Sequence, residues 1–447
     1  MADRSSGLLP ELARRAAIRP AVILDDDPTG TQTLRDVFVL TAWDADAVAR
    51  HLHDPAAFLS TNSRSMDEAA AVAITHDAAV TALGAARISG RPISVVSRSD
   101  STLRGHFPAE TAAVAEAMEA PDARILLAPF FGEGGRLTIN GVHYLLEGAA
   151  RRPVGETEFA RDASFGYRSS NLAEWVAEKY GSAGKPPPFT SNLTLKLIRD
   201  GGPEAVAGAL LALPARAVAI ADAEVDRDIE VVALGALIAE DEGLPIIART
   251  AASYVRARAG REAAPILTAE ELATDGPGLI VVGSHVATTT RQLEHLAATN
   301  GSRLVMHELP VGPILAGGAA AVHAAIETLE AALRDGRTGL VSTERARYDV
   351  DLEGGRTISS ALVAVVRGIE TRPAWVIAKG GITSSDVASR GLDMREARVA
   401  GQILAGVPVW IGADGSRWPG MPLVVFPGNV GGASALTDAV RLLSERG

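Results

Sequence analysis

The chain has 447 residues, 47% of them hydrophobic, and no cysteine, so it can fill more than one core but has no disulfide, thiolate nucleophile or Cys-ligated metal. A net charge of -11, with Lys and Arg scattered rather than in runs, argues against a broad nucleic-acid footprint, and an anionic ligand would need a local basic pocket. Met1 to Gly7 hold no apolar leader and no uninterrupted apolar run approaches the roughly 18 residues of a membrane span, so a cytoplasmic enzyme without membrane or nucleic-acid partners is expected.

In chain order, short β-rich apolar runs end in Gly, Ser or Asp and lead into Ala-rich stretches, which is the rhythm of an α/β protein. Strands are predicted at 21–24, 37–40, 93–96, 125–128, 217–220, 279–282, 304–306, 375–378, 407–411 and 423–426. Helices are predicted at 66–89, 109–119, 229–242, 288–299, 319–334 and 359–369. Residues 181–188, with Lys185 and three prolines, read as a stiff loop, and the charged stretch 259–278 ends in Asp-Gly-Pro-Gly before a new strand. The expected architecture is two α/β domains, 1–265 and 279–447, each with a central, largely parallel sheet and with the active site in the cleft between them.

The first strand runs into Asp25-Asp26-Asp27-Pro28-Thr29-Gly30, placing three carboxylates at the edge where open α/β sheets bind ligands. Adjacent carboxylates repel, so such a cluster persists more readily around a cation, a proton or substrate hydroxyls; a solvated Asp-Pro-Thr-Gly turn is the plainer alternative. A second strand end carries Ser97-Arg98-Ser99-Asp100-Ser101-Thr102-Leu103-Arg104-Gly105-His106. Arg98 and Arg104 can clamp a carboxylate in fork geometry, while Asp100 and the hydroxyls suit a sugar. The Gly-rich stretch Pro129 to Arg136 permits close backbone approach to a ligand but equally an ordinary turn, and His143 beyond it reads first as a structural histidine.

In the second half, three strand ends lead into helices through small residues: Gly283-Ser284-His285, Lys379-Gly380-Gly381-Ile382-Thr383-Ser384, and Phe426-Pro427-Gly428-Asn429. Helix starts offer unpaired N–H groups and partial positive charge to phosphate, so three on one edge suggest a polyphosphate site; tight-packing glycine is the alternative for each. Neither the P-loop pattern nor G-x-G-x-x-G after a strand occurs.

These segments, together with Gly135-Arg136-Leu137-Thr138-Ile139-Asn140-Gly141-Val142-His143 and Glu156 to Asp162, resemble the four-carbon acid sugar kinase family over nearly the whole chain. The resemblance implies a sugar-acid-binding N-terminal domain and an ATP-binding C-terminal domain, with Mg²⁺ on the phosphates and phosphorylation of a substrate hydroxyl. By carry-over, Ser284, Gly380, Gly381, Thr383 and Gly428 would contact ATP, and Asp26, Asp100 and Arg104 the sugar acid; their neighbours Asn429, for the nucleotide, and Asp25, Asp27, Arg98 and Ser101, for the sugar acid, are further candidates. Asp100 is the first choice for the proton acceptor, with Asp26 and its neighbours as alternatives. Two positions depart from the family pattern: Phe426-Pro427 stands where members often carry Lys-Ser, and Ile382 where a Glu is common. A homodimer is a further expectation. Two other readings compete: a haloacid-dehalogenase-like phosphatase using Asp25 and Asp27, for which no later Gly-Asp-x-x-x-Asp segment is found, and a non-catalytic sugar-acid-binding protein on the same fold.

Overall fold

The computed structural model describes residues 7–444, apart from Ala149, Ala273, residues 346–351 and the side chain of Leu352; the N-terminal residues 1–6 lie outside it. The chain forms two compact units, Met1–Thr33 with Trp43–Ala263, and Leu34–Ala42 with Ala264–Gly447.

In the first unit seven strands run parallel in the spatial order Ala56–Ser60, Ala21–Asp25, Ser94–Arg98, Ile246–Thr250, Arg124–Ala128, Val218–Ala221, Thr190–Leu193. Ala21–Asp25, Ala56–Ser60, Ser94–Arg98 and Ile246–Thr250 are buried at every residue, as parallel strands covered on both faces must be. From Ala21–Asp25 the chain steps to one side for Ala56–Ser60 and returns on the other for Ser94–Arg98, with Asp25 in register with Arg98. The direction of winding therefore reverses between these two strands, and ligands of open α/β sheets bind at such a point, beyond the carboxyl ends.

The return is made by the helix Glu68–Ser89, capped by the Asp67 carboxylate on the Ala70 N–H at 2.9 Å and stopped by Gly90 at φ 67. Its 22 residues are long and apolar enough to cross a membrane by length and composition. Here Ala71, Ala78, Ala79, Ala82 and Ala85 are buried, and the helix packs against Ala109–Ala117 and the strand Ala21–Asp25, small side chains allowing close approach.

Residues 136–153, where no strand is predicted from the sequence, form an antiparallel three-stranded sheet: Arg136–Ile139, Val142–Glu147, Ala150–Pro153. Its first turn is Asn140-Gly141 with φ 53 and 73, a type I′ hairpin pair that the sequence displays openly.

The second unit contains parallel strands in the order Leu304–Leu309, Thr338–Thr343, Leu279–Val282, Val376–Lys379, Pro422–Phe426, continued antiparallel by Val407–Gly412, Glu396–Leu404 and Phe38–Leu40. The strand at 38–40, expected within the first domain, thus belongs to the second unit's sheet. Trp375, Phe426, Leu436 and Leu443, each fully buried, anchor its core.

Candidate functional site

At the first unit's switch point the expected carboxylates and arginines converge, and an unexpected residue stands at their centre. Arg64 follows the strand Ala56–Ser60 and grips Asp26 with both arms, Nη2 to Oδ1 at 2.6 Å and Nε to Oδ2 at 3.2 Å. Its Nη1 lies 3.7 Å from Asp27 Oδ2 and 3.9 Å from Asp100 Oδ1, so one guanidinium neutralises carboxylates from two loops. Ser99 Oγ donates to Asp26 Oδ2 at 3.2 Å.

Asp25 is 1% exposed, and both its oxygens lack a hydrogen-bond partner; a Cβ on Gly30 would come within 2.0 Å of Oδ1. Arg98 Nη1 stands 3.3 Å from Asp25 Oδ1 and 3.7 Å from Asp26 Oδ1. Burial, reinforced by Asp26 and Asp27, outweighs Arg98 and pushes Asp25 up to about 8, so it keeps its proton at neutral pH. Burial also pushes Asp27 and Asp100 upward, but charge overcomes it in both. Arg64, Thr29 and Arg98 hold Asp27 below its ordinary value, and Arg104, Arg64 and Thr102 hold Asp100 far below.

Arg104 Nε donates to Asp100 Oδ2 at 2.7 Å, Nη1 lies 3.6 Å from Asp162 Oδ2, and the guanidinium carbon sits 5.1 Å from the Phe159 ring centre. The Thr102 hydroxyl also donates to Asp100. Between these two residues Leu103 takes φ 68, a left-handed conformation costly for a branched side chain and held here by its burial.

Two groups brace this loop from behind. His143 Nε2 lies 2.8 Å from the Ser101 carbonyl and Nδ1 2.9 Å from Thr138 Oγ1. A carbonyl only accepts, so Nε2 carries the proton and Nδ1 receives the threonine's. Burial pulls His143 down to about 4 and keeps it neutral, so it is the structural histidine the sequence suggested. Tyr167 donates to the Thr102 carbonyl at 2.7 Å. A further pair absent from the sequence reading, Arg249 and Glu110, meets at 2.6 Å, fully buried, with Ser97 and Ser63 bonded to its ends.

In the second unit four of the six expected residues come together. Thr289 Oγ1 donates at 3.0 Å to either Ser284 Oγ or the Gly428 carbonyl, and a Cβ on Gly428 would fall 2.4 Å from Ser284 Oγ. Gly380, at φ 118, lies against Ser284 and Thr383. Gly381 opens the short helix Gly381–Asp386, while the Asn429 and Ile382 side chains face solvent.

Beneath this cluster sits Lys379, wholly buried in register with Phe426. Its Nζ donates to the Pro427 carbonyl at 3.1 Å and lies 3.8 Å from the Phe426 ring centre. No carboxylate among the described residues pairs with it, and burial pulls it down to about 7. An ammonium thus reaches the loop at 426–427 from the neighbouring strand.

Fold and site define a two-unit α/β protein with one strand-end cluster built of arginine and carboxylate and another of small polar residues beside a buried lysine. Residues 21–258 match the sugar-binding N-terminal domain family and residues 279–436 the nucleotide-binding C-terminal domain family, and the chain belongs to the four-carbon acid sugar kinase family. A D-erythronate kinase of Heliobacterium modesticaldum is 27% identical over 238 residues, 53% of this chain and 49% of that one, so the match spans about half the length of the curated relative. Among solved structures, a Salmonella typhimurium LT2 protein provisionally named a tRNA synthase is similar over 95% of this chain and 100% of its own, with TM-score 0.69 and 16% identity. The Haemophilus influenzae protein HI1011 is similar over 94% and 99%, with TM-score 0.63 and 17% identity. At such identities these two likenesses speak to the fold.

Proposed function

We propose that the chain is a kinase that transfers phosphate from ATP to a hydroxyl of a small sugar acid, bound on the first unit, with the nucleotide on the second. The observation that carries this reading is the Arg64–Asp26–Asp100 cluster at the switch point of the unit matched to the sugar-binding family.

Asp100, pinned by Arg104 and Thr102, has a fixed orientation and stays ionised, so it accepts a hydrogen bond from the attacking hydroxyl and directs it. Its low basicity suits phosphoryl transfer, which asks more for positioning and charge neutralisation than for a strong base. Asp26, saturated by Arg64 and Ser99, orients Arg64. Asp25, enclosed and protonated, is unsuited to be the phosphatase nucleophile. On the second unit, Ser284, Gly380, Gly381, Thr383 and Gly428 would face the phosphates, and Lys379 lends that edge positive charge. The close packing of glycine against Ser284 and Thr383 fits a backbone that phosphate oxygens can approach.

Mg²⁺ fits less well as a protein-bound ion: among the described residues no group of three or more His, Asp or Glu could hold a metal. The carboxylates of the first unit's edge face arginines. The metal would arrive on the nucleotide phosphates, where it would neutralise their charge.

A coupled assay of ADP formation over a panel of four- and five-carbon sugar acids tests the proposal. Turnover that requires both ATP and a sugar acid supports it. Release of phosphate from phosphorylated sugar acids without nucleotide would instead establish the phosphatase reading, and sugar-acid binding without ATP consumption the non-catalytic one.

A further inference from the structure

Five arginines gather around the first unit's strand-end edge, and four of them have a carboxyl group within 4.0 Å. Arg64 faces Asp26, Asp27 and Asp100; Arg98 faces Asp25 and Asp26; Arg104 faces Asp100 and Asp162; Arg249 faces Glu110. Arg136 has no carboxylate within 4.0 Å among the described residues. Its Nε is buried without a hydrogen-bond partner, and Nη1 reaches only the Gly134 carbonyl.

The position is built. Arg136 begins the hairpin strand Arg136–Ile139, in which Thr138 holds His143 and His143 in turn holds the Ser101 carbonyl, so the hairpin is fastened to the loop carrying Asp100 and Arg104. The guanidinium carbon lies 5.9 Å from the Phe131 ring centre, and a Cβ on Gly134 would intrude to 2.3 Å from Nη1 and 2.4 Å from the Phe131 ring. Glycine at 134 is thus what leaves room for the cation. Burial, with Arg104's repulsion, outweighs the attraction of Asp100 and Glu158 and weakens Arg136's hold on its proton. A half-buried cation with free donors and no counter-ion is incomplete, and the partner that completes it is a planar anion able to take parallel N–H bonds.

We infer that Arg136 is the carboxylate-binding residue of the sugar-acid site, the role the sequence assigned to Arg98 or Arg104. Arg104 is held by Asp100 and Asp162. Arg98 Nε and Nη1 also lack a hydrogen-bond partner, but Arg98 is only 4% exposed and lies against Asp25 and Asp26, so Arg136, half-buried and with no carboxylate beside it among the described residues, is the donor left for the substrate's. The inference rests on the sugar-acid reading above and names which side chain takes the acid group. It also sets the substrate class: a compound with the same hydroxyls but no carboxylate lacks the anion that Arg136 needs.

Calorimetry with the whole protein separates the two ideas, with D-erythronate and the other sugar acids of the panel as ligands and the uncharged polyol erythritol as control. For the best-bound acid, Arg136→Met should raise Kd about ten- to a hundredfold, whereas Arg136→Lys, which keeps the charge without the fork, should fall between the two. Erythritol binding, weak in the wild type, should be the same in all three proteins, and a matched thermal-unfolding midpoint identifies a folded variant. If Arg136→Met unfolds, Arg136→Lys with unchanged acid affinity overturns the inference. So does a folded Arg136→Met that binds the acid as tightly as the wild type, or that loses acid and polyol alike. If the wild type binds no sugar acid at all, the sugar-acid function itself fails and the inference falls with it.

Discussion

Arg64 Nη2 lies 2.6 Å from Asp26 Oδ1 while its Nε reaches the other oxygen at 3.2 Å, so the carboxylate most central to the cluster is closed by a residue from a different strand's loop. The pair is nearly dry, Asp26 being 2% exposed. Removing one partner leaves an unpaired buried charge. Arg64→Met should cost about 3–5 kcal/mol in denaturant unfolding. Adding Asp26→Asn to it should restore part of that loss, because the stranded charge is gone; a double variant no more stable than Arg64→Met would show that the cost came from packing alone.

Asp100→Asn separates a positioning carboxylate from a proton acceptor. Held far below its ordinary pKa by Arg104 and Arg64, Asp100 should act by position. Asn keeps one accepting oxygen, so we expect KM for the sugar acid to rise about tenfold or more while kcat falls less than tenfold. A fall in kcat of about 10²–10⁴ with KM unchanged would make it the base instead.

Asp25 predicts a pH dependence of stability. Its folded pKa is about 8 against an ordinary 3.8. Between these values the native state holds a proton that the unfolded chain has released. Stability contributed here is therefore present at low pH and lost as pH rises toward 8, by up to about 1.4 kcal/mol per pH unit. Asp25→Asn removes this titration, so the variant should gain on the wild type from pH 5 to 8 in urea unfolding; a pH-independent difference would mean Asp25 is ionised in the fold.

Lys379 predicts the opposite slope. Its folded pKa near 7 lies below the ordinary 10.5, so between these values the unfolded chain binds the extra proton and stability rises with pH. Lys379→Met should therefore stabilise the protein most below pH 7, where the ammonium is buried at a cost. If Lys379 serves the nucleotide edge, the same variant should weaken ATP binding about tenfold in calorimetry, and wild-type ATP binding should be tighter at pH 6 than at pH 9 and take up protons. ATP affinity that is unaltered in the variant and flat with pH would confine Lys379 to a structural part.

The alternation of apolar runs and Ala-rich stretches determined the α/β class, because buried parallel strands and their covering helices each leave their own period in the chain. It also marked the loops at 25–30, 98–104, 283–285, 379–384 and 426–429, since a strand ending in Gly, Ser or Asp signals its own carboxyl edge. Asn140-Gly141 is equally legible as a hairpin turn. What the chain order could not display was which strand end faces which. Ala56–Ser60 reads as readily as helix, yet lying beside Ala21–Asp25 it delivers Arg64 into the carboxylates. Ile246–Thr250 brings Arg249 to Glu110 across 139 residues, and Val376–Lys379 sets Lys379 under a loop 48 residues further on. The sequence could name Arg98 and Arg104 as cations but not that Asp25, Asp26, Asp100 and Asp162 already face them. Charge neutralisation falls off over a few ångströms, so only the tertiary arrangement of neighbouring strand ends decided which arginines lie against the protein's own carboxyl groups.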